Sequence, residues 1–412
     1  MRRSGYRDFI PTPEKRRYAG PTPEAHALEI LKRDRPQELF GGWKTLLDRP
    51  FKGITSSGAI QDNLFQLRHE DSPIPEITRA ADTLLKKLSS EQRRRTLYPL
   101  DSGLRRHWQN TELFVEKHGL RLEYVHPELR QAVLSLLKKS LSDSGYKRTL
   151  ATMRLNRFLG ELVEAPQILN EWSYNFVIFG TPSLTEPWSW QLFGHHLAID
   201  CLLLKNQMVL TPCFFGAEPT SADVGPFSGT SLFEDEERLG LSFMNALSPE
   251  FKETALVSGS LKGNDHPKGR WHFADHLMLG GAAQDNRIVP YEGLTAEKLS
   301  SPLRQQLLDL IKCYLEPLPQ GPLDAKMNDV ENHIRDLHFC WIGGTEENKP
   351  FYYRIQSPVL LIEFDHHSGV FLNNSEPAPF HVHTIVRTPN GNDYGMDLLR
   401  LHYEQSEHHQ KK

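Results

Sequence analysis

The chain has 412 residues, 48 Lys plus Arg against 52 Asp plus Glu, and a formal charge of −4. That near-balance excludes a nucleic-acid binder relying on phosphate neutralisation, and 38 % apolar with 24 % charged residues excludes a disordered chain. Cys201, Cys213, Cys313 and Cys340 form no CxxC pair, so neither a disulfide framework nor a thiolate zinc site is written here. No apolar run approaches the roughly 18 residues of a membrane span, and the charged, proline-rich start lacks the apolar core of a secretory signal. A cytoplasmic protein is expected.

Residues 1–24 hold PTPE twice, from Pro11 and from Pro21, and read as an extended arm. From 25 to 165, apolar residues recur three or four apart, as in ITRAADTLLKKLSSEQRRRTL, which predicts a mostly helical region. Inside it, the turn-rich run between Gly41 and Gly58 reads as a loop or short strands. Near Trp172 the texture becomes aromatic and β-branched. Strands are predicted at 174–179, 188–204 and 208–215, with a turn at Lys205–Gln207. Helical spacing resumes at 232–257 and 300–316, with GGAAQDNRIVPYEGL as a loop between them. LHFCWIGG, PFYYRIQSPVLLIEFD and FHVHTIVRT then predict a three-strand meander, and MDLLRLHYEQSEHH a last helix. This order predicts an α+β fold: a helical N-terminal region packed on a largely antiparallel sheet, with a C-terminal helix. The mixed body at 166–403 forms one compact unit with the helical region, and residues 404–412 are a polar tail.

Histidine is the unusual residue. Of nineteen, five fall before residue 195 and fourteen from His195 onward, His408 and His409 among them in the tail. Imidazole is the commonest metal ligand and an acid/base group near neutral pH, so the question is which histidines share a face. Residues two apart on a strand do, which places His381, His383, Ile385 and Arg387 together in HVHTIVR. Glu363 and Asp365 share a face of LLIEFD, and pairing of the two strands brings a carboxylate toward the imidazoles. His381, His383 and Glu363, with His402 from the last helix as a further candidate, form a ligand set that suits non-haem iron(II) or catalytic zinc. Arg387 is placed to clamp a substrate carboxylate or phosphate, and Tyr394 to touch the substrate. Asp393 either fixes an imidazole tautomer or caps the last helix.

In FGHHLAID adjacent side chains point to opposite faces, so one of His195 and His196 is expected in the pocket, with Trp190 as a wall. The HFADH stretch has the spacing of two helical ligands, His272 and His276, but Phe273 stands where a zinc protease needs its Glu. Asp285, Asn286 and Arg287 either bind a ligand or close a turn on themselves. Neither GxxxxGK[ST] nor GxSxG occurs, which argues against a P-loop hydrolase and an α/β-hydrolase.

Taken in order, WSWQLFGHHLAID, TPCFFGAEP, QDNRIVPYEG, FYYRIQSPVLLIEFD and HVHTIVRTPNGNDYGMDLLRLHY resemble the family catalogued as domain of unknown function 3500. The resemblance runs from about Gly41 to Tyr403. It implies no activity, but its pattern includes Trp190, His195, His196, Glu363, His381, His383, Arg387, Tyr394 and His402, and adds Glu218 as another carboxylate. The leading expectation is a metal-dependent enzyme acting on a small organic molecule. In it His381, His383 and Glu363 hold iron or zinc, Arg387 orients the substrate, and His195 or His196 with Glu218 moves protons. The alternatives are metal-independent acid/base catalysis and a non-enzymatic small-ligand or metal-binding protein.

Overall fold

The structure, a computed structural model, describes residues 3–405. Eight strands of its 13-stranded sheet position the site. They are β1 (Tyr174–Phe179), β2 (Trp188–Gly194), β3 (Leu197–Leu204), β4 (Cys213–Ala217), β5 (His338–Gly343), β6 (Phe351–Ser357), β7 (Leu360–His367) and β8 (Ala378–Arg387). In space they run β1-β2-β3-β4-β8-β7-β6-β5, each antiparallel to its neighbour. A meander from mid-chain thus meets a meander from the chain's end along one seam, where His383 lies opposite Gly216 and Val382 opposite Ala217. The fold is α+β with a largely antiparallel sheet and a C-terminal helix, Met396–Gln405. No described helix is long and apolar enough to cross a membrane.

The two faces of the sheet differ in chemistry. Phe176, Trp190, Leu192, Ile199, Phe215, Ile362, Phe364 and Val382 face a continuous apolar core. The amphipathic helices Ile74–Lys87, Pro127–Ser140, Asp143–Leu162 and Ser301–Leu315 supply its other wall through Ile77, Leu137, Phe158 and Leu310. The opposite face carries Val177, Phe193, Ala198, Phe214 and Ile385 under Trp43, Trp108 and Met278. Between these apolar groups it buries Asp200, Glu363, Asp365, His381, His383 and Arg387. That second face is roofed mostly by loops, and it is where polar chemistry is concentrated.

Several predicted boundaries shift. The stretch predicted as one strand over 188–204 is a hairpin: the β2–β3 ladder closes at Gly194 opposite Leu197, leaving His195 and His196 as its turn. PFYYRIQSPVLLIEFD likewise folds back after Ser357, so the C-terminal meander has four strands. Pro212, which has no N–H for the ladder, separates the short strand Gln207–Val209 from β4. Gly41–Leu47 belongs to the helix Asp34–Leu47, which buries Leu39 and Trp43 one turn apart. Helical spacing over 232–257 resolves into Glu234–Ala246 and Pro249–Ala255, and Gln320–Asn332 is a further helix. HFADH is a tight turn bridged between His272 and His276, not a helix. The first 24 residues contain short 3-10 turns at Arg3–Phe9 and Pro13–Lys15, and Tyr6 is buried against Phe158 and Phe380. Of the polar tail, residues 406–412, including His408 and His409, lie outside the described residues.

Candidate metal centre

Strand β8 and the β2–β3 turn bring three imidazoles together at the seam. Alternation on β8 sends His381 and His383 to the loop-roofed face, as the sequence predicts. Gly216 of β4 pairs with His383, and its N–H donates to the His196 carbonyl at 2.7 Å, so the β2–β3 turn sits beside β8 with one glycine between. His196 has φ +61, a left-handed conformation that costs an L-residue roughly 1 kcal/mol and normally selects Gly or Asn. The turn is held there from outside: the His196 N–H donates to the Asn110 carbonyl, and the Tyr174 hydroxyl to the His195 carbonyl, each at 3.1 Å. A strained histidine retained in a two-residue turn points to a use for its side chain.

His196 Nε2 and His383 Nε2 each lie 3.2 Å from His381 Nε2. Three nitrogens about 2.0–2.1 Å from one tetrahedral ion are separated by about 3.3 Å, so the spacing fits a common centre. The rings diverge from one another, with interplanar angles of 71°, 61° and 83°, which lets each nitrogen present its in-plane lone pair to that centre. His381 Nδ1 lies 2.7 Å from the Ser368 carbonyl. Donation there fixes the tautomer that leaves Nε2 as an acceptor. Burial lowers the pKa of His381 to about 3 and, with the neighbouring imidazoles, holds His196 and His383 well below the ordinary range. All three are therefore neutral at physiological pH, the form that binds metals.

Glu218 organises the surroundings. Its buried carboxylate accepts the backbone N–H groups of Val370, Phe371 and Leu372 at 2.8–3.0 Å, which pins the loop whose Ser368 carbonyl orients His381. Its Oε1 lies 3.8 Å from His381 Nδ1. One buried negative charge behind the imidazole complements a cation in front of it. Burial raises the Glu218 pKa, and the three amides pull against that.

A cavity of about 760 Å³ opens over this group and is lined by His195, His196, His367, His383, Asp275 and Phe371 among others. The volume is in the range that holds a small organic ligand. Asp275 is 6 % exposed, and no protein group donates a hydrogen bond to its carboxyl among the described residues. Burial raises its pKa to about 7, with Arg287 opposing.

A protein-family match spans residues 70–396, and the family is described as a protein of unknown function, DUF3500. The chain belongs to this family. No curated protein and no solved structure matches it. The DUF3500 segment contains all three converging histidines, Glu218 and Asp275.

Placed on this DUF3500 chain, the predicted site residues separate. His381, His383 and His196 converge. His195 lines the cavity, its ring stacked 3.9 Å from His196 and its Nδ1 2.7 Å from Asn156 Oδ1. Glu363 stands apart: it accepts the N–H groups of Leu279 and Gly280 and the Tyr352 hydroxyl, so its oxygens anchor the roofing loop. Its register partner on β8 is Ile385, whereas Asp365 is the residue opposite His383. Arg387 is fully buried and engaged by Asp393, Asp285 and the Gly280 carbonyl. Asp393 thus holds Arg387, and Asp285 ties in the Tyr394 hydroxyl, which also accepts from Trp108. Trp190 is on the helix side of the sheet, stacked on Phe176. His402 is on the C-terminal helix beside Glu186, 4.0 Å away, outside the group.

Sequence reasoning passed over His367 and Asp275. Strand parity could have found His367, which follows Glu363 and Asp365 on one face. Together with His276 and Asp365 it forms a second set of closely spaced ligand atoms, but the chemistry there is different. His276 and His367 stack face to face at 3.6 Å and 13°. An ion shared between parallel rings would lie about 1.8 Å out of each plane, far from the lone pairs that ligation needs. Both His367 nitrogens already face carbonyls, of Ser368 and Ala274. Both sets could hold an ion, and the divergent rings of the first suit in-plane ligation better.

Proposed function

We propose that the protein is a zinc-dependent enzyme whose metal is held by His196, His381 and His383 and whose substrate is a small organic molecule bound in the cavity above them. The observation that carries this reading is the convergence of three neutral, divergent imidazoles beside an open cavity, with His196 Nε2 and His383 Nε2 each 3.2 Å from His381 Nε2. Three nitrogen ligands with no carboxylate among them favour zinc over the two-histidine, one-carboxylate iron arrangement. Zinc so held supplies a bound water acidified toward neutral pH and an electrophile for a carbonyl or phosphoryl oxygen, which points to hydrolysis, hydration or lyase chemistry.

The chain's own groups then take distinct parts. Glu218 and the Ser368 carbonyl hold His381 in the ligating tautomer. Asp275, facing the cavity without a hydrogen-bond partner, is the group placed to carry a proton to or from the substrate. Purified protein stripped of metal and titrated with zinc should bind one equivalent, lost in the His381→Ala, His383→Ala double variant. Cobalt(II) in its place should give the intense visible bands of a four-coordinate ion. Less than about a tenth of an equivalent retained, with no thermal stabilisation on adding metal, defeats the reading.

A further inference from the structure

The cavity's floor and mouth have different origins. The histidines and Asp275 lie within residues 70–396, the span of the family match, whereas Arg17, Arg33 and Arg35 lie before it and also line the cavity. Arg33 and Arg35 flank the start of the helix Asp34–Leu47, whose first turn faces the cavity with no side chain capping it. Among the described residues the Arg33 guanidinium makes no ion pair within 4 Å, Glu29 feeling its charge only from further off. Arg35 lies over the Phe273 ring at 5.8 Å, two residues before Asp275. Arg17 reaches across from the N-terminal arm to the Gly369 carbonyl at 3.5 Å, in the loop that Glu218 pins. The acidic groups on the wall are Asp34, Asp275 and Glu112, the last 3.5 Å from His26 Nε2. Between rim and floor the wall is apolar, with Phe40, Trp43 and Phe371.

We infer that the cavity selects an organic anion, its carboxylate or phosphate gripped by Arg33 and Arg35 at the mouth, its apolar body against the aromatic wall, and its reacting group directed toward the histidines. Guanidinium groups at a low-dielectric cleft concentrate anions and bind planar oxyanions through two parallel hydrogen bonds. Phe273 beneath Arg35 restricts its motion, and the exposed N–H groups at the helix start add to the attraction. The anion is recognised from the N-terminal region, so substrate preference resides in a part of the chain distinct from the part that holds the metal.

The inference rests on the cavity of the proposed enzyme, and its test is made on metal-free protein so that the two stand or fall separately. Phenylacetate, phenyl phosphate and neutral phenylacetamide are titrated with chelator present, with Trp fluorescence and calorimetry as readouts. The two anions should bind at least about tenfold tighter than the amide, and Arg33→Gln with Arg35→Gln should remove that advantage while amide affinity is kept. The order of the two anions separates a carboxylate from a phosphate site. Zinc stoichiometry and melting temperature of the double variant should match the parent, which controls for folding. Equal binding of anion and amide, an unchanged double variant, or no anion binding at millimolar concentration each overturns the inference.

Discussion

At Gly216 the whole centre depends on a missing methyl group. A Cβ built there would stand 2.9 Å from His196 Cδ2 and 3.0 Å from His383 Cδ2, so close that both rings must shift to admit it. Gly216→Ala should therefore splay the two imidazoles and weaken zinc binding by at least about tenfold, at a folding cost of about 1–3 kcal/mol. Calorimetric titration beside urea unfolding reads both, and unaltered zinc affinity would show that the rings do not share an ion. Asp275 makes the opposite kind of prediction. Its folded pKa, about 7, stands above the ordinary carboxyl value, so the folded state binds the proton more tightly than the unfolded chain does. Its contribution to stability is present below about pH 4 and is lost as pH rises through 7, a change of up to about 4 kcal/mol. Asp275→Asn cannot ionise, so its stability relative to the parent should improve steadily between pH 4 and 7.5 in metal-free urea titrations. A difference that stays constant with pH would mean the carboxyl is not held protonated. A cavity-lining carboxyl that costs stability at working pH, with only His272 Nδ1 near it at 3.6 Å, has its use in the cavity.

The loop after β7 is the element that converts a buried charge into ligand geometry. Glu218 reaches it from the end of β4 and takes up three consecutive N–H groups, so Glu218→Gln puts a donor amide where Oε2 accepts from the Phe371 N–H at 3.0 Å and leaves that N–H only the longer 3.2 Å contact to Oε1. A loss of about 1–3 kcal/mol is expected, together with weaker zinc binding as the Ser368 carbonyl drifts from His381. If zinc affinity survives while stability falls, the loop serves the fold alone. Elements of this kind explain how far the sequence could be read. The strands β1, β7 and β8 announce themselves through alternation or an unbroken apolar run, and parity on β8 alone places His381 and His383 on one face. His196 was not assignable, because a strand reading of GHHL sends neighbouring histidines to opposite faces. Only the hairpin closing at Gly194 and Leu197 puts this ring beside β8. Glu363 misled for a related reason: it does face the correct side, but three donors from 279–280 and Tyr352 claim it, and those partners lie 11 to 84 residues away in sequence. Side-chain parity is local information, whereas which polar groups satisfy one another is decided by the loops that close over the sheet.

Across the whole molecule, the proposed metal joins two halves that the chain builds separately. His196 belongs to the first meander and His381 and His383 to the second, and the seam between them runs through β4 and β8, five paired residues in register. Ligands drawn from both sides make the ion a cross-link between non-local segments, formed only when both meanders are in place. An ion that binds the native state alone stabilises it by mass action, but a cross-link adds a spatial signature: opening of either half must release the ion. Amide hydrogen exchange on protein with and without zinc should show slower exchange over residues 194–217 and 378–387 together, with the distant helix Gln320–Asn332 little changed. In His196→Ala, which keeps two ligands on β8, protection should vanish on both sides of the seam, because two neighbouring imidazoles on one strand cannot close a site. Protection confined to β8, in the parent or the variant, would mean that the ion is a passenger on that strand and that the halves are joined by the sheet alone.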